Sequence, residues 1–162
     1  MANNYTLIPA EGQLDNMACW AACLKWWFKA AKSVKKSQRK LIDKYNYLTD
    51  EWGAMSNNAM EQLIALNGLR KFVYYDARHF TAGELARHLA KGPVYAAFTE
   101  RSSGGRHVNV IYNVGTSLHD PQVAVMEPQD EELPDLTYRG RHMLKPLSEF
   151  NSMGTVILGC NA

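Results

Sequence analysis

The sequence is 162 residues long, 46% hydrophobic and 21% charged, with a net charge of +2. A chain of this size and balance supports one core, read as a single domain over residues 1–162, and is neither a disordered nor a fibrous composition. So small a net charge gives no reason to expect nucleic acid as a partner, and the basic run Lys32–Lys40 reads as a solvated face.

The N-terminal stretch MANNYTLIPAEGQ has no basic region followed by an apolar run, and no segment reaches transmembrane length. The expectation is therefore synthesis in the cytoplasm without a signal peptide, and no membrane partner. Three cysteines, at positions 19, 23 and 160, form no paired framework and lack Cys-x-x-Cys spacing. Neither a disulfide scaffold nor a metal site is expected, and no cofactor is called for.

The residues up to about Gly68 read as helical and those beyond about Lys71 mostly as strands. Met17 to Lys32 is apolar almost all round, with Lys25, Lys29 and Lys32 on one narrow face, so it predicts a buried central helix capped by Asp15 or Asn16. Further helices are predicted over Ser37–Tyr45 and Ala59–Leu66. Thr81-Ala-Gly-Glu84 has the form of a capping box opening a helix through Leu89, which ends near Gly92-Pro93. Strands follow over Val94–Thr99, Val108–Val114, Val123–Met126 and Thr155–Leu158, the first two joined by a turn containing Ser102, Ser103, Gly104 and Gly105. Helices first and an antiparallel sheet second give an α+β fold.

The chemistry centres on Cys19. A thiol becomes a good nucleophile when its proton is easily lost, and a helix N-terminus or a neighbouring imidazole favours that loss. Cys19 falls in the first turn of the central helix. Gln13 lies in a loop six residues earlier, where its amide can fold over the helix start and join the Cys19 N–H as a second oxyanion donor. His107 follows a Gly-rich turn and opens an apolar strand, a rigid yet accessible place for a general base. His79, His88, His119 and His142 lack that setting.

The string Gln13-Leu-Asp-Asn-Met-Ala-Cys19-Trp20 resembles the nucleophile motif of papain-like cysteine proteases. Gly92-Pro93-Val94, then GGRHVNVIYNVG, then VAVMEP resemble the bacterial branch that includes bacteriocin-processing peptidases and plant-pathogen effector proteases. The two blocks span about residues 12–30 and 85–128. The resemblance implies a papain-like fold, with the nucleophile helix packed on a C-terminal antiparallel sheet.

It also implies roles: Cys19 as nucleophile, His107 as base, Gln13 in the oxyanion hole and Glu127, before Pro128, as the orienting acid. The family more often has Asp at that place, and Asp120, Asn109 and Asn113 are competitors. Trp20 is expected to wall the substrate site. Arg106 stands where a glycine is common, implying a narrower or more basic cleft.

The implied activity is peptide-bond hydrolysis in a protein substrate. Alternatives are a glutamine deamidase or amidase effector with the same core, or a degenerate papain-like binding module. A compact catalytic chain without signal or propeptide resembles a toxin or effector of interbacterial competition, secreted by a specialised system into a target cell. Such a toxin would need a cognate immunity protein to block the cleft.

Overall fold

A computed structural model describes residues 4–162. The central helix α1 (Cys19–Lys32) buries Trp20, Ala21, Ala22, Cys23, Leu24, Trp26 and Trp27. It begins two residues later than the apolar pattern begins, and neither Asp15 nor Asn16 caps it: Ala18 holds the N-cap position. The Asp15 carboxylate instead accepts the Met17 N–H at 2.8 Å. That short-range turn uses the side chain before the helix starts. At the other end Ser33 takes a left-handed conformation, φ 54°, and its N–H donates to Lys29 O.

Helices α2 (Gln38–Tyr45) and α3 (Asn57–Leu66) open on Ser37 and Ser56, whose hydroxyls accept the N–H groups of Lys40 and Ala59. Helix α4 (Ala82–Leu89) opens on Thr81, which accepts from Glu84 N–H. Only this half of the expected capping box forms. The Glu84 carboxylate turns to Arg87 and to the Tyr74 hydroxyl instead, since a charged donor outcompetes a backbone amide. A one-turn helix, α5 (Ser148–Asn151), completes the set. Among the described residues no helix is long and apolar enough to cross a membrane.

The six strands are β1 (Arg70–Tyr74), β2 (Val94–Thr99), β3 (Arg106–Val114), β4 (Gln122–Glu132), β5 (Tyr138–Pro146) and β6 (Val156–Cys160). They form one sheet in the order β1-β6-β2-β3-β4-β5, with every neighbouring pair antiparallel. One face carries Tyr95, Ala97, Val108, Val110, Met126 and Ile157 against α1, α2 and α3. The other carries Phe98, Ile111, Val125 and Leu158 against Leu85 of α4 and Phe150 of α5. Both faces of the central strands are thus covered, which is why Val94 to Phe98 is apolar without alternation.

The edge strands depart from the sequence pattern. β1 begins Arg70-Lys71, and β5 carries Arg139, Arg141 and Lys145; such charged edges read as loops although they pair as strands. β4 runs past Met126 to Glu132 through Pro128, with its register to β5 shifting between Glu127 and Glu131. Proline is tolerated in a strand at such a bulge.

Candidate active site

Cys19 is the first residue of α1, where backbone N–H groups lack an intrahelical acceptor and the helix dipole presents its positive end. The loop before it is fixed to the far side of the sheet. Gln13 N–H donates to Pro128 O at 3.0 Å, and Gln13 O accepts from Tyr138 N–H at 2.9 Å. This close run of backbones requires Gly12 and Gly140, since a Cβ on either would collide with the opposing carbonyl, Tyr138 O or Glu11 O. Gln38, the first residue of α2 and buried, braces the same loop. Its Oε1 accepts Leu14 N–H at 2.9 Å and its Nε2 donates to Gly12 O at 3.0 Å.

His107 enters from the start of β3, paired with Phe98 of β2. Its Nε2 lies 2.7 Å from Glu127 Oε2. The Cys19 side chain lines the same cleft as the imidazole and raises its proton affinity. With Nε2 facing the carboxylate, Nδ1 is the nitrogen left for the sulfur. Cys19, His107 and Glu127 are therefore gathered at one site. Of the competitors, Asp120 is exposed and bonded to Ser148, and the exposed Asn113 accepts Val114 N–H. Asn109 is bonded to Glu127 rather than to His107, Nδ2 to Oε1 at 3.2 Å.

Burial alone would lower the His107 pKa. The hydrogen bonds and charges of Cys19 and Glu127 outweigh it and raise the value to about 10. Burial pushes Glu127 the other way, yet His107 and Lys145 together hold its carboxyl down to about 2. At neutral pH the pair is imidazolium and carboxylate. Lys145, on β5, donates to Glu127 Oε1 at 2.6 Å and to Asn109 Oδ1 at 2.8 Å. Glu100, His107 and Glu127 bring potential metal-ligating atoms within 4.8 Å of one another. The cation beside those carboxylates is the Lys145 ammonium, 2.6 Å from Glu127 and 3.9 Å from Glu100.

Cys19 and His107 line a small cleft of about 80 Å³, walled by Trp20, Met55, Met60 and Arg106. Trp20 is both wall and core: it is 3% exposed and its indole donates to Gly53 O. Arg106 stands exposed at the rim, donating to Thr99 Oγ1 and Thr155 O. A larger groove of about 800 Å³ lies elsewhere, between Tyr5, Pro93 and His142, and its lining contains neither a thiol nor a carboxylate. Chemistry, not size, marks the site.

Gln13 is completely buried and is not among the residues lining the cleft. Its Nε2 donates to Asp15 O at 2.7 Å, and its Oε1 has no hydrogen-bond partner among the described residues. The loop before α1 thus offers the amide a carbonyl of its own, and one Nε2 hydrogen is taken there. Sequence reasoning did not single out Lys145, Gln38 or the Gln129 N–H, which donates to Glu127 Oε2 at 2.9 Å. No local signal marks Lys145, since alternation along Tyr138–Pro146 groups it with the exposed Arg139 and Arg141.

The family model described as papain-like cysteine protease AvrRpt2 matches residues 2–132. The fold is similar to the peptidase domain of Streptococcus ComA, a bi-functional ABC transporter involved in a quorum-sensing pathway. That likeness has a TM-score of 0.60 at 16% identity, covering 94% of this chain and 98% of the other. No curated protein matches the sequence.

Proposed function

The chain belongs to the papain-like cysteine protease family of AvrRpt2, and from that premise we propose that it cleaves a peptide bond through Cys19, His107 and Glu127, with Gln13 completing the oxyanion hole. The observation that carries this reading is the meeting of Cys19, at the open end of α1, with His107 in one cleft, the imidazole being held by Glu127 at 2.7 Å.

The sulfur, left without its proton beside the imidazolium, attacks the peptide carbonyl carbon. The carbonyl oxygen takes up the electron pair and is met by the Cys19 N–H; Gln13, buried with its Nε2 on Asp15 O, adds the second donor once its amide swings toward the cleft. His107 gives its proton to the leaving amine, the C–N bond breaks, and an acyl-enzyme remains. The neutral imidazole then takes a proton from water as it attacks the acyl carbon, and the C–S bond breaks with the sulfur leaving as thiolate beside the re-formed imidazolium as the acid product departs. Glu127, bonded to Nε2, fixes the ring orientation and stabilises the charged form.

We further propose that the protease acts as a secreted effector or toxin inside a target cell, a reading that rests on the resemblance to plant-pathogen effector proteases. A cognate immunity protein covering the cleft would then protect the producing cell. The test is comparative mapping of new protein N-termini in cells expressing wild type or Cys19→Ala. Termini present only with wild type support a protease, and identical maps overturn it. A one-dalton gain on a target without chain cleavage would identify a deamidase instead. Harmless expression inside recipient cells, with cleavage intact, would overturn the toxin role alone.

A further inference from the structure

Glu127 has one methylene more than the aspartate common at this place, and so one more torsion to fix before it can orient an imidazole. The surroundings supply that restraint. Oε2 accepts from Gln129 N–H and meets His107 Nε2, while Oε1 accepts from Lys145 Nζ and Asn109 Nδ2. Lys145 also bonds Asn109 Oδ1 and is itself only 9% exposed, a rare degree of burial for a lysine. It stands on β5, beyond residue 132 where the family match ends.

We propose that Lys145 is a positioning residue of the protease: its ammonium locks the Glu127 carboxylate, ionised, against His107 and so sets the acid limit of the site's working range. The inference rests on the assignment of Cys19, His107 and Glu127 made above. The other groups facing this pair come from every neighbouring element. His107 and Asn109 belong to β3, Glu100 follows β2 with Oε2 3.9 Å from Nζ, Cys19 and Cys23 belong to α1, and Arg141 lies opposite Glu127 on β5. Lys145 is the cation in direct contact with Oε1. Without it, a proton would be taken up at higher pH by a buried carboxyl that has lost its nearest positive charge.

The test follows the rate at which iodoacetamide labels Cys19 as a function of pH, read by peptide mass spectrometry, and needs no knowledge of the substrate. Lys145→Met is expected to move the acid limb of that profile upward by about one pH unit, the low end for loss of an adjacent opposite charge. In a Glu127→Gln background the same change is expected to add no further shift, because the two residues act as one unit. An unmoved limb in Lys145→Met, or shifts that simply add in the double variant, would overturn the proposal. Should Lys145→Met fail to fold, the double variant Lys145→Met/Glu127→Gln leaves no lone buried charge. It is expected to fold and to match the Glu127→Gln profile, and failure of both to fold would make Lys145 a residue of the core only. Wild type labelling at Cys19 no faster than an ordinary thiol would overturn the protease reading itself, a result distinct from the others.

Discussion

Cys19 and Cys23 are the same residue one turn apart on the same helix, and the two turns are chemically different places. Cys19, at the end of α1, borders the cleft and an imidazole. Cys23 is fully buried, and its thiol donates to Val108 O at 3.3 Å. Burial first, then the charges of Cys19 and Glu127, push its pKa well above the usual thiol value. Cys160, in β6, is pushed up to about 12 by burial. The helix end, the ring and the open cleft make a cysteine reactive; a position one turn deeper makes it a small apolar residue.

The contrast breaks most directly in activity. Cys19→Ala is expected to lower kcat by about 10³-fold or more, since removal of a nucleophile disables the whole unit. Cys23→Ala is expected to remain active in the same assay of cleaved product. Loss of activity in Cys23→Ala, with its fold intact by circular dichroism, would undo the distinction. Gln13→Ala probes the same helix end and is expected to lower kcat by ~10²–10³ with KM little changed. An unaltered kcat would remove Gln13 from the oxyanion site.

Labelling sharpens the comparison. Iodoacetamide on the folded protein is expected to modify Cys19 alone, with Cys23 and Cys160 reached only after unfolding. In stability the ranking reverses. Cys23→Ala is expected to cost about 1–2 kcal/mol through a small cavity and the loss of one of two side-chain donors to Val108 O, the other being Asn109 Nδ2, whereas Cys19→Ala costs little. Urea unfolding of both variants checks this.

The pH dependence of stability follows from the two shifts beside Cys19. Glu127, lowered from 4.5 to about 2, stabilises the fold above the unfolded value, and that contribution is lost as pH falls toward 2. His107, raised from 6.5 to about 10, stabilises it below pH 6.5, and that contribution is lost as pH rises toward 10. The pair's contribution is therefore greatest between 4.5 and 6.5. Each ~1 kcal/mol lost outside that window lowers Tm by ~2–4 °C in a chain of this size. Thermal unfolding of Glu127→Gln is expected to show a flatter acid side.

Much of this was legible in the sequence because the physics was local. The all-round apolar run of α1 and the span of β2 follow from periodicity, whereas Ser37 caps α2 instead of belonging to it and α3 opens at Asn57 on Ser56, ahead of the expected Ala59. Val123 and Val125 share one face of β4 in the second core cluster, as strand alternation requires. What could not be read depends on distant pairing. β5 has the charged look of a loop until β4 binds it, and with it Lys145 is hidden. Gln38 reads as a surface helix residue, and only the fold brings it to the loop at Gly12. The turn of the Gln13 amide toward Asp15 O depends on how the loop closes, which spacing alone does not specify.

The place of β6 between β1 and β2 carries a consequence for how the protein comes into being. On a ribosome the chain emerges from its N-terminus, so Cys19 is outside long before Val156 to Cys160 are made. Until those residues arrive, β1 lacks its hydrogen-bonding neighbour and the middle of the sheet stands open. Such long-range closure comes late in folding. A nascent chain thus holds a nucleophile but no scaffold, and the site cannot be assembled until Val156 to Cys160 have been made.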